Sequence, residues 1–577
     1  MLKPTVPSDR LLTLETREQA ATLLDRAALH YAQRPDADAL IFIPFGKDEG
    51  ERISYRAFFD GAGRYADALR GVGVAERDLV ILVMEHSEAL LYAFWGALMM
   101  GAIPSIFPFL SDKLDATLYF ERVKALVTHS GAKALIVSPP FLESLSGLLK
   151  DSGVRVISEA NLQPGSGKAH FQTTINGEDI AFLQHSSGTT GLQKGVALSH
   201  RAVLNQVAAY ADALQMRPDD VIASWLPLYH DMGLIAGFVI PLVQGIPLVL
   251  MSPFHWVREP RVLLRALTHY RGTLCWLPNF AYNFMATRIR DNALEGVNLG
   301  TVRAFVNCSE PMRAESHRQF EARYTPYGLR SGALTTCYAM AENTFAVTQG
   351  GIAAPPTVDV ISRLGLMDQH VARPAQNGEP TMEMLSCGTP IPNCRVQIVD
   401  SEKRPLNERQ IGEVAVKSDS MLSSYYHRPD LTEQALFEGW YLTGDYGYLA
   451  EGELYITGRK KDIIIVGGKN IYPQDLESIA DGVPGVKAGR TVAFGVMDDR
   501  LGTESVVMVV EAETQDEDER FEIARQIRMR VAKETEVSLS DVRVVDLKWL
   551  HKTSSGKIAR GANRDKYLIE KAQEQQR

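Results

Sequence analysis

Ser186-Ser187-Gly188-Thr189-Thr190-Gly191-Leu192-Gln193-Lys194-Gly195 gathers four hydroxyls, three glycines and one lysine into ten residues. Glycine lets backbone N–H groups close on an anion, hydroxyls add donors, and a lysine adds a mobile cation. That chemistry suits the phosphates of a nucleoside triphosphate. The glycine-to-lysine spacing does not fit G-x-x-x-x-G-K-[ST], so the loop is not of the Walker type. A Ser/Gly/Thr run can also be a plain linker. A linker needs neither the embedded lysine nor the apolar run Ile180-Ala181-Phe182-Leu183 that precedes this one.

A phosphate loop must be held by rigid elements. Residues 79–84, 134–137, 180–183, 247–251 and 302–306 read as buried strands, and 87–101, 201–214 and 259–269 have helical spacing. Their alternation predicts an α/β core with mainly parallel sheets. Beyond Gly388 come closely spaced short strands, at 396–399, 412–417 and 453–457, which suit a small barrel-like β subdomain. After Arg459-Lys460-Lys461-Asp462 a smaller unit alternates strands and helices. The boundary is therefore placed between residues 1–458 and 459–577, and the acidic run 511–519 reads as a solvated loop.

Composition narrows the class further. A chain of 577 residues needs more than one core. Its net charge of −9 argues against nucleic acid or an anionic membrane surface as a general partner. Five cysteines without a C-x-x-C pair, and no apolar signal core near Met1, are expected of a cytoplasmic protein with reduced thiols. The uncharged stretch 233–251 is long enough to cross a bilayer. Pro241, Gln244, Gly245 and Pro247 within it read instead as helix, turn and buried strand, so no integral membrane span is expected.

From about Arg52 to Arg560 the chain resembles the acyl-adenylate-forming enzymes, which include acyl-CoA synthetases, fatty acyl-AMP ligases and luciferases. The resemblance implies a large N-terminal domain of stacked αβ sheets and a small, mobile α+β C-terminal domain. It implies ATP and Mg²⁺ as cofactors, with Ser186, Ser187, Gly188, Thr189, Thr190, Gly191 and Lys194 on the phosphates. In Tyr338-Ala339-Met340-Ala341-Glu342, Tyr338 would pack against adenine beside Ala339, Met340 and Ala341, and Glu342 would hold the metal. A carboxylate is a suitable hard ligand for Mg²⁺. Ser309, Glu310 and Pro311 of Asn307-Cys308-Ser309-Glu310-Pro311 would line the opposite adenine face. Asp445 of Thr443-Gly444-Asp445 would take the ribose hydroxyls, its two oxygens matching a vicinal diol, with Arg459 beside ribose or phosphates. Read singly, these motifs are also ordinary turns, caps or helix faces.

The same resemblance makes Lys557, in Thr553-Ser554-Ser555-Gly556-Lys557-Ile558, the catalytic lysine of adenylation, and Lys461 the hinge. His230, Asp231 and Met232 would border the acyl site, as would Asn279 and Phe280 of Leu277-Pro278-Asn279-Phe280-Ala281-Tyr282. That last element, the segment Ile471-Tyr472-Pro473-Gln474-Asp475 and a polar connection over 351–386 are most similar to the fatty acyl-AMP ligases. In that branch an insertion restrains the C-terminal domain, and the acyl group of a fatty acid passes to an acyl carrier protein or a polyketide or nonribosomal synthase carrier domain. Ala339 departs from the family's glycine, Ala341 from its common threonine, and 187–191 is nearer the acyl-CoA synthetase form. An acyl-CoA synthetase and a non-catalytic nucleotide-binding homologue therefore stay open as alternatives.

Overall fold

Short apolar runs build two large sheets, and the order of their strands decides where the loops meet. The structure, a computed structural model, describes residues 11–110, 116–158, 160, 167–171, 173–185, 194–466, 469–498, 503–535, 537–553 and 556–576. The first sheet has nine strands, in the order Thr389–Pro390, Ala346–Gln349, Leu334–Ala339, Ala304–Cys308, Leu274–Leu277, Ile222–Ser224, Leu248–Met251, Asp38–Ile43 and Glu51–Ser54. Its interior pairs are parallel, and antiparallel pairs occupy both margins. Parallel strands are covered on both faces, which explains unbroken apolar runs such as Leu274–Leu277.

The second sheet has seven strands, ordered Ser424–Tyr425, Gly195–Ser199, Ile180–His185, Ile103–Ile106, Leu79–Val83, Ala134–Val137 and Arg155–Ser158. Helix Glu88–Met99 is apolar nearly all round and shares one core with residues of both sheets, as a helix between layers must. Serines cap the expected helices: Ser87 accepts from Leu90 N, and Ser199 accepts from Ala202 N at 3.1 Å. Residues 232–251 form a π-helix over Met232–Val239, a helix over Ile240–Gln244, a left-handed turn at Gly245 and the strand Leu248–Met251. Among the described residues no helix is long and apolar enough to cross a membrane.

The β subdomain is a five-stranded antiparallel sheet of Cys394–Val399, Gly412–Ser418, Trp440–Ala450, Leu436–Phe437 and Glu453–Arg459. Its long strand Trp440–Ala450 escapes sequence reading because Thr443-Gly444-Asp445 and a register shift at Tyr446/Gly447 break its alternation. After the turn Lys460–Asp462, strands Val486–Asp498, Thr503–Ala512 and Leu539–Val545 form a three-stranded sheet. Helices Pro473–Asp481, Glu517–Thr535 and Arg560–Gln576 accompany it, giving an α+β unit.

The acidic run is not one solvated loop. Glu511 lies in a strand, 1% exposed, where its carboxylate accepts from Leu550 N at 2.8 Å and faces Arg490 at 3.6 Å. A buried carboxylate persists when partners of this kind replace water. Glu517 already starts a helix, so only 513–516 remain as a connection.

The connection 351–386 is also folded. Strands Val358–Ser362 and Thr381–Leu385 pair antiparallel around helix Arg363–Gln369. Ile361 and Leu366 join Tyr448, Tyr455 and Tyr472 in one apolar cluster, and Met367 joins the core of the C-terminal unit.

One close approach sets the entry to the π-helix. A Cβ on Gly233 would stand 2.1 Å from the Pro227 carbonyl oxygen and 3.1 Å from that of Leu226. Both obstacles are backbone, so neither can swing aside. Gly233→Ala is expected to destabilise the protein by about 3 kcal/mol or more, read as a lower denaturant midpoint at unchanged m.

Candidate active site

Four neighbouring strands of the nine-stranded sheet end on the same side, because their pairings are parallel. Ligands bind at such carboxyl ends in open α/β sheets. Ile222–Ser224 delivers Trp225 to His230, Leu274–Leu277 delivers Asn279 and Phe280, Ala304–Cys308 delivers Ser309 to Pro311, and Leu334–Ala339 delivers Met340 to Glu342. Register thus brings together motifs that lie more than a hundred residues apart.

Tyr338 donates its hydroxyl to Asp445 Oδ2 at 2.6 Å, and Arg459 Nε lies 3.3 Å from Asp445 Oδ1. The carboxylate is held from both sides, with its side chain 16% exposed. Thr443 supports it, donating to Val414 O at 2.8 Å and accepting from Asp445 N at 3.0 Å. Glu413 completes the turn by accepting from Gly444 N at 3.0 Å and from Lys460 Nζ at 2.9 Å. Sequence reading missed Glu413, which looks like any strand residue.

Ala339 falls where the strand's register against Ala346–Gln349 shifts, and Ala341–Asn343 then forms a single 3-10 turn. That turn aims Glu342 at Tyr425, whose hydroxyl donates to Glu342 Oε1 at 2.8 Å. Tyr441 stands 3.0 Å from the Tyr425 hydroxyl, and Lys194 Nζ lies 4.7 Å from the Tyr425 ring centre. Tyr425 carried no motif signal. A carboxylate fixed in this way is the kind of hard oxygen donor that suits Mg²⁺, with phosphate oxygens and water as the other ligands.

Asp231 caps the π-helix, accepting from Met232 N at 2.8 Å, and His230 precedes it. Dense surroundings push the His230 imidazole down to about 3, and the charge of Lys557 acts in the same direction. The ring is therefore neutral at physiological pH, and its buried Nε2 has no partner among the described residues. Burial raises the Asp231 carboxyl, opposed by Lys557, while the charge of Glu342 reinforces the rise. Lys557, Asp231, His230 and Glu342 thus share one electrostatic neighbourhood, although Lys557 belongs to the last segment of the chain.

The remaining residues frame this space. Asn279 is buried; its oxygen accepts from Asn307 Nδ2 at 3.0 Å and Arg313 N at 3.1 Å, and its nitrogen donates to Ser316 at 3.1 Å. Its amide therefore braces the strand ends, whereas Phe280 is 40% exposed. Glu310 accepts from Phe280 N at 3.0 Å, placing an acid at that helix start. Ser309 takes a left-handed φ of 69° and Pro311 is exposed. Met232 is buried, with its sulfur 4.0 Å from the Ser309 hydroxyl. Lys461 sits in the turn Lys460–Asp462. Ser186, Ser187, Gly188, Thr189, Thr190 and Gly191 lie outside the described residues.

Residues 24–426 match the AMP-binding enzyme family. The chain belongs to that family. Among curated relatives, the medium-chain-fatty-acid–[acyl-carrier-protein] ligase JamA of Moorena producens is 29% identical, over 96% of each chain. The long-chain-fatty-acid–AMP ligase FadD26 of Mycobacterium bovis is 30% identical, over 93% of this chain and 95% of its own. A solved fatty acyl-adenylate ligase from L. pneumophila, in complex with acyl adenylate and pyrophosphate, superposes with a TM-score of 0.73. It is 28% identical and covers 96% of this chain and 98% of its own. A structure from work on such ligases of E. coli and L. pneumophila reaches a TM-score of 0.87 at 26% identity, covering 96% and 99%.

For an AMP-binding enzyme, Asp445 offers two carboxylate oxygens already aligned by Tyr338 and Arg459. Asp445→Ala removes both acceptors and leaves Arg459 without this partner. Hydrogen bonds to a charged group contribute about 1.5–3 kcal/mol each, so calorimetry should show ATP binding weakened by roughly ten-fold or more. Unchanged far-UV dichroism would accompany that loss.

Proposed function

We propose that the protein couples a fatty acid, or a related apolar carboxylate, to AMP at the expense of ATP and then passes the acyl group to a carrier-protein phosphopantetheine thiol. In the first step a carboxylate oxygen bonds to the α-phosphorus, the bond to the β-phosphate bridging oxygen breaks, and pyrophosphate leaves. In the second, the thiolate sulfur bonds to the acyl carbon and AMP departs. Residues 1–458 bind ATP and acid in this reading, and 459–577 form the moving unit with Lys461 at its hinge.

The observation that carries the proposal is the Asp445 carboxylate held between Tyr338 and Arg459, with Glu342 held by Tyr425; the charge of Lys557 acts on His230 and Asp231 as well. Adenylation forces two anions together and builds further negative charge on phosphate. A positioned cation bridging both lowers that barrier, and such donors work best where water is excluded. No general base is required, because the carboxylate is already ionised at neutral pH. His230, held neutral, orients by hydrogen bonding rather than by charge. Tyr338, Ser309 and Pro311 sandwich the adenine, Asp445 and Arg459 take the ribose, and Lys194 meets the phosphates. Mg²⁺ on Glu342 would offset phosphate charge. The similarity to JamA and FadD26 supports a fatty acyl chain and a carrier acceptor.

The test is fatty-acid-dependent exchange of pyrophosphate into ATP. Lys557→Ala should lose about a hundred- to a thousand-fold in that exchange, while transfer from supplied acyl-AMP to a holo carrier protein falls far less. Equal losses in both half-reactions would give Lys557 a shared structural role instead.

The acceptor is addressed by residues 351–386. What supports the carrier over CoA is how this segment grips the C-terminal unit. Met367 enters its core, His370 contacts Asn470 at 3.4 Å, and Arg363 acts on the half-buried Asp475. Such a strap opposes the rotation that CoA transfer needs. Excising helix Arg363–Gln369 should raise CoA thioester formation and leave pyrophosphate exchange in place. Efficient CoA thioester formation by the unmodified protein would make it an acyl-CoA synthetase.

A further inference from the structure

Tyr425 is the second residue of a two-residue strand, Ser424–Tyr425, laid antiparallel on Gly195–Ser199 with Tyr425 opposite Val196. Its neighbours are stitched to two places at once. Tyr426 N donates to Gly195 O at 2.7 Å, and Leu422 N donates to Glu342 O at 2.8 Å. Residues 422–426 therefore join the exit of the phosphate loop to the turn carrying Glu342.

The side chain repeats that bridge. Tyr425 is 2% exposed, and its single hydroxyl proton goes to Glu342 Oε1 at 2.8 Å. The 3.0 Å contact with Tyr441 must then have Tyr441 donating, which gives a directed chain from Tyr441 through Tyr425 to Glu342. Lys194 Nζ stands 4.7 Å from the centre of the same ring, within cation–π range. A flexible lysine left free near a carboxylate would pair with it and cancel both charges; here the ring face holds the one and the hydroxyl holds the other.

We propose that Tyr425 is a positioning residue that holds Lys194 and Glu342 apart, so that the lysine meets the triphosphate and the carboxylate meets its metal. The proposal rests on the nucleotide reading above. Its two halves are separable, because the hydroxyl serves Glu342 and the ring serves Lys194. Tyr425→Phe keeps the ring and loses the hydroxyl; Tyr425→Leu loses both.

Calorimetric titration of ATP into each folded protein, with Mg²⁺ and then with EDTA, reads the two halves. Tyr425→Phe should raise the Mg²⁺ concentration needed for half-maximal binding by about ten-fold, as loss of an outer partner of a metal ligand does. Its metal-free ATP affinity should match wild type. Tyr425→Leu should show the same metal defect and also lose about two- to five-fold in metal-free affinity. Excess Mg²⁺ should return the kcat of Tyr425→Phe in pyrophosphate exchange towards wild type, which a general packing defect would not allow. An unaltered Mg²⁺ dependence in Tyr425→Phe overturns the proposal, even if Tyr425→Leu fails to fold. A wild-type chain that binds no ATP would overturn the nucleotide reading itself.

Discussion

The antiparallel register that sets Asp445 opposite Arg459 joins the candidate site to the start of the C-terminal unit. Strand Glu453–Arg459 ends on that pair, and the next residues are the turn Lys460–Asp462. Arg459 therefore answers to two demands: it balances the Asp445 carboxylate, and it anchors the residue from which the chain leaves the sheet. The pairing of Lys460 with Glu413, itself under Gly444, makes the same connection a second time. In the rotation proposed above the change of orientation would start from this turn, so site and joint share residues. A few element-terminal residues absorbing the backbone change is the usual pattern for such closure.

Electrostatics at the mouth follow from this division of labour. Cations approach from separate elements: Lys194 just before strand Gly195–Ser199, Arg459 from the antiparallel sheet, Lys461 from the turn after it and Lys557 from the last segment. Electrostatic partners are in place before substrate arrives. Arg459 leans on Asp445 and Lys194 on the Tyr425 ring, while the charge of Lys557 acts on Asp231. A neutral His230 adds no further positive charge to this group, which limits repulsion with Lys557. Depression of a histidine below its ordinary value favours the fold above about pH 6.5 and loses that contribution as pH falls towards about 3.

Much of this was legible in the chain, for identifiable reasons. Buried parallel strands announce themselves as apolar runs, and 134–137 and 248–251 appear where the pattern places them. Motifs carried at strand ends, such as Ser309 to Pro311 and Met340 to Glu342, need only local sequence to be noticed. Tyr425 and Glu413 are different. Each acts through a partner on another strand, and a single tyrosine or a strand glutamate gives no spacing signal. Trp440–Ala450 was hidden for a related reason, since the Thr-Gly-Asp turn within it breaks the period-2 pattern. Glu511 misled because charge density along the chain says nothing about which member of a run is buried against Arg490.

The 351–386 segment shows the same limit from the other side. Its polar, proline-containing composition reads as surface, and most of its residues are exposed or half-buried. A few apolar residues decide its role: Ile361 and Leu366 face the tyrosine cluster, and Met367 reaches across into the core of the C-terminal unit. Polar ties accompany them. Tyr448 and Arg409 both donate to Asp359 Oδ2 at 2.9 Å, fixing the hairpin to the antiparallel sheet. Arg313, beside the adenine-face motif, donates to Ser478 Oγ at 2.9 Å, and its charge with that of Arg363 opposes the burial that lifts Asp475 to about 6. These ties cross from the sheets to the C-terminal unit at residues other than the Lys460–Asp462 turn. With the hinge at Lys461 proposed above, rotation of the unit would have to break the ties at Met367 and Ser478. The ties are apolar burial at Met367 and Tyr472 with a few exposed polar contacts, which a docking partner supplying its own surface would have to replace. That is the physical sense in which such a strap can bias one orientation without abolishing the other.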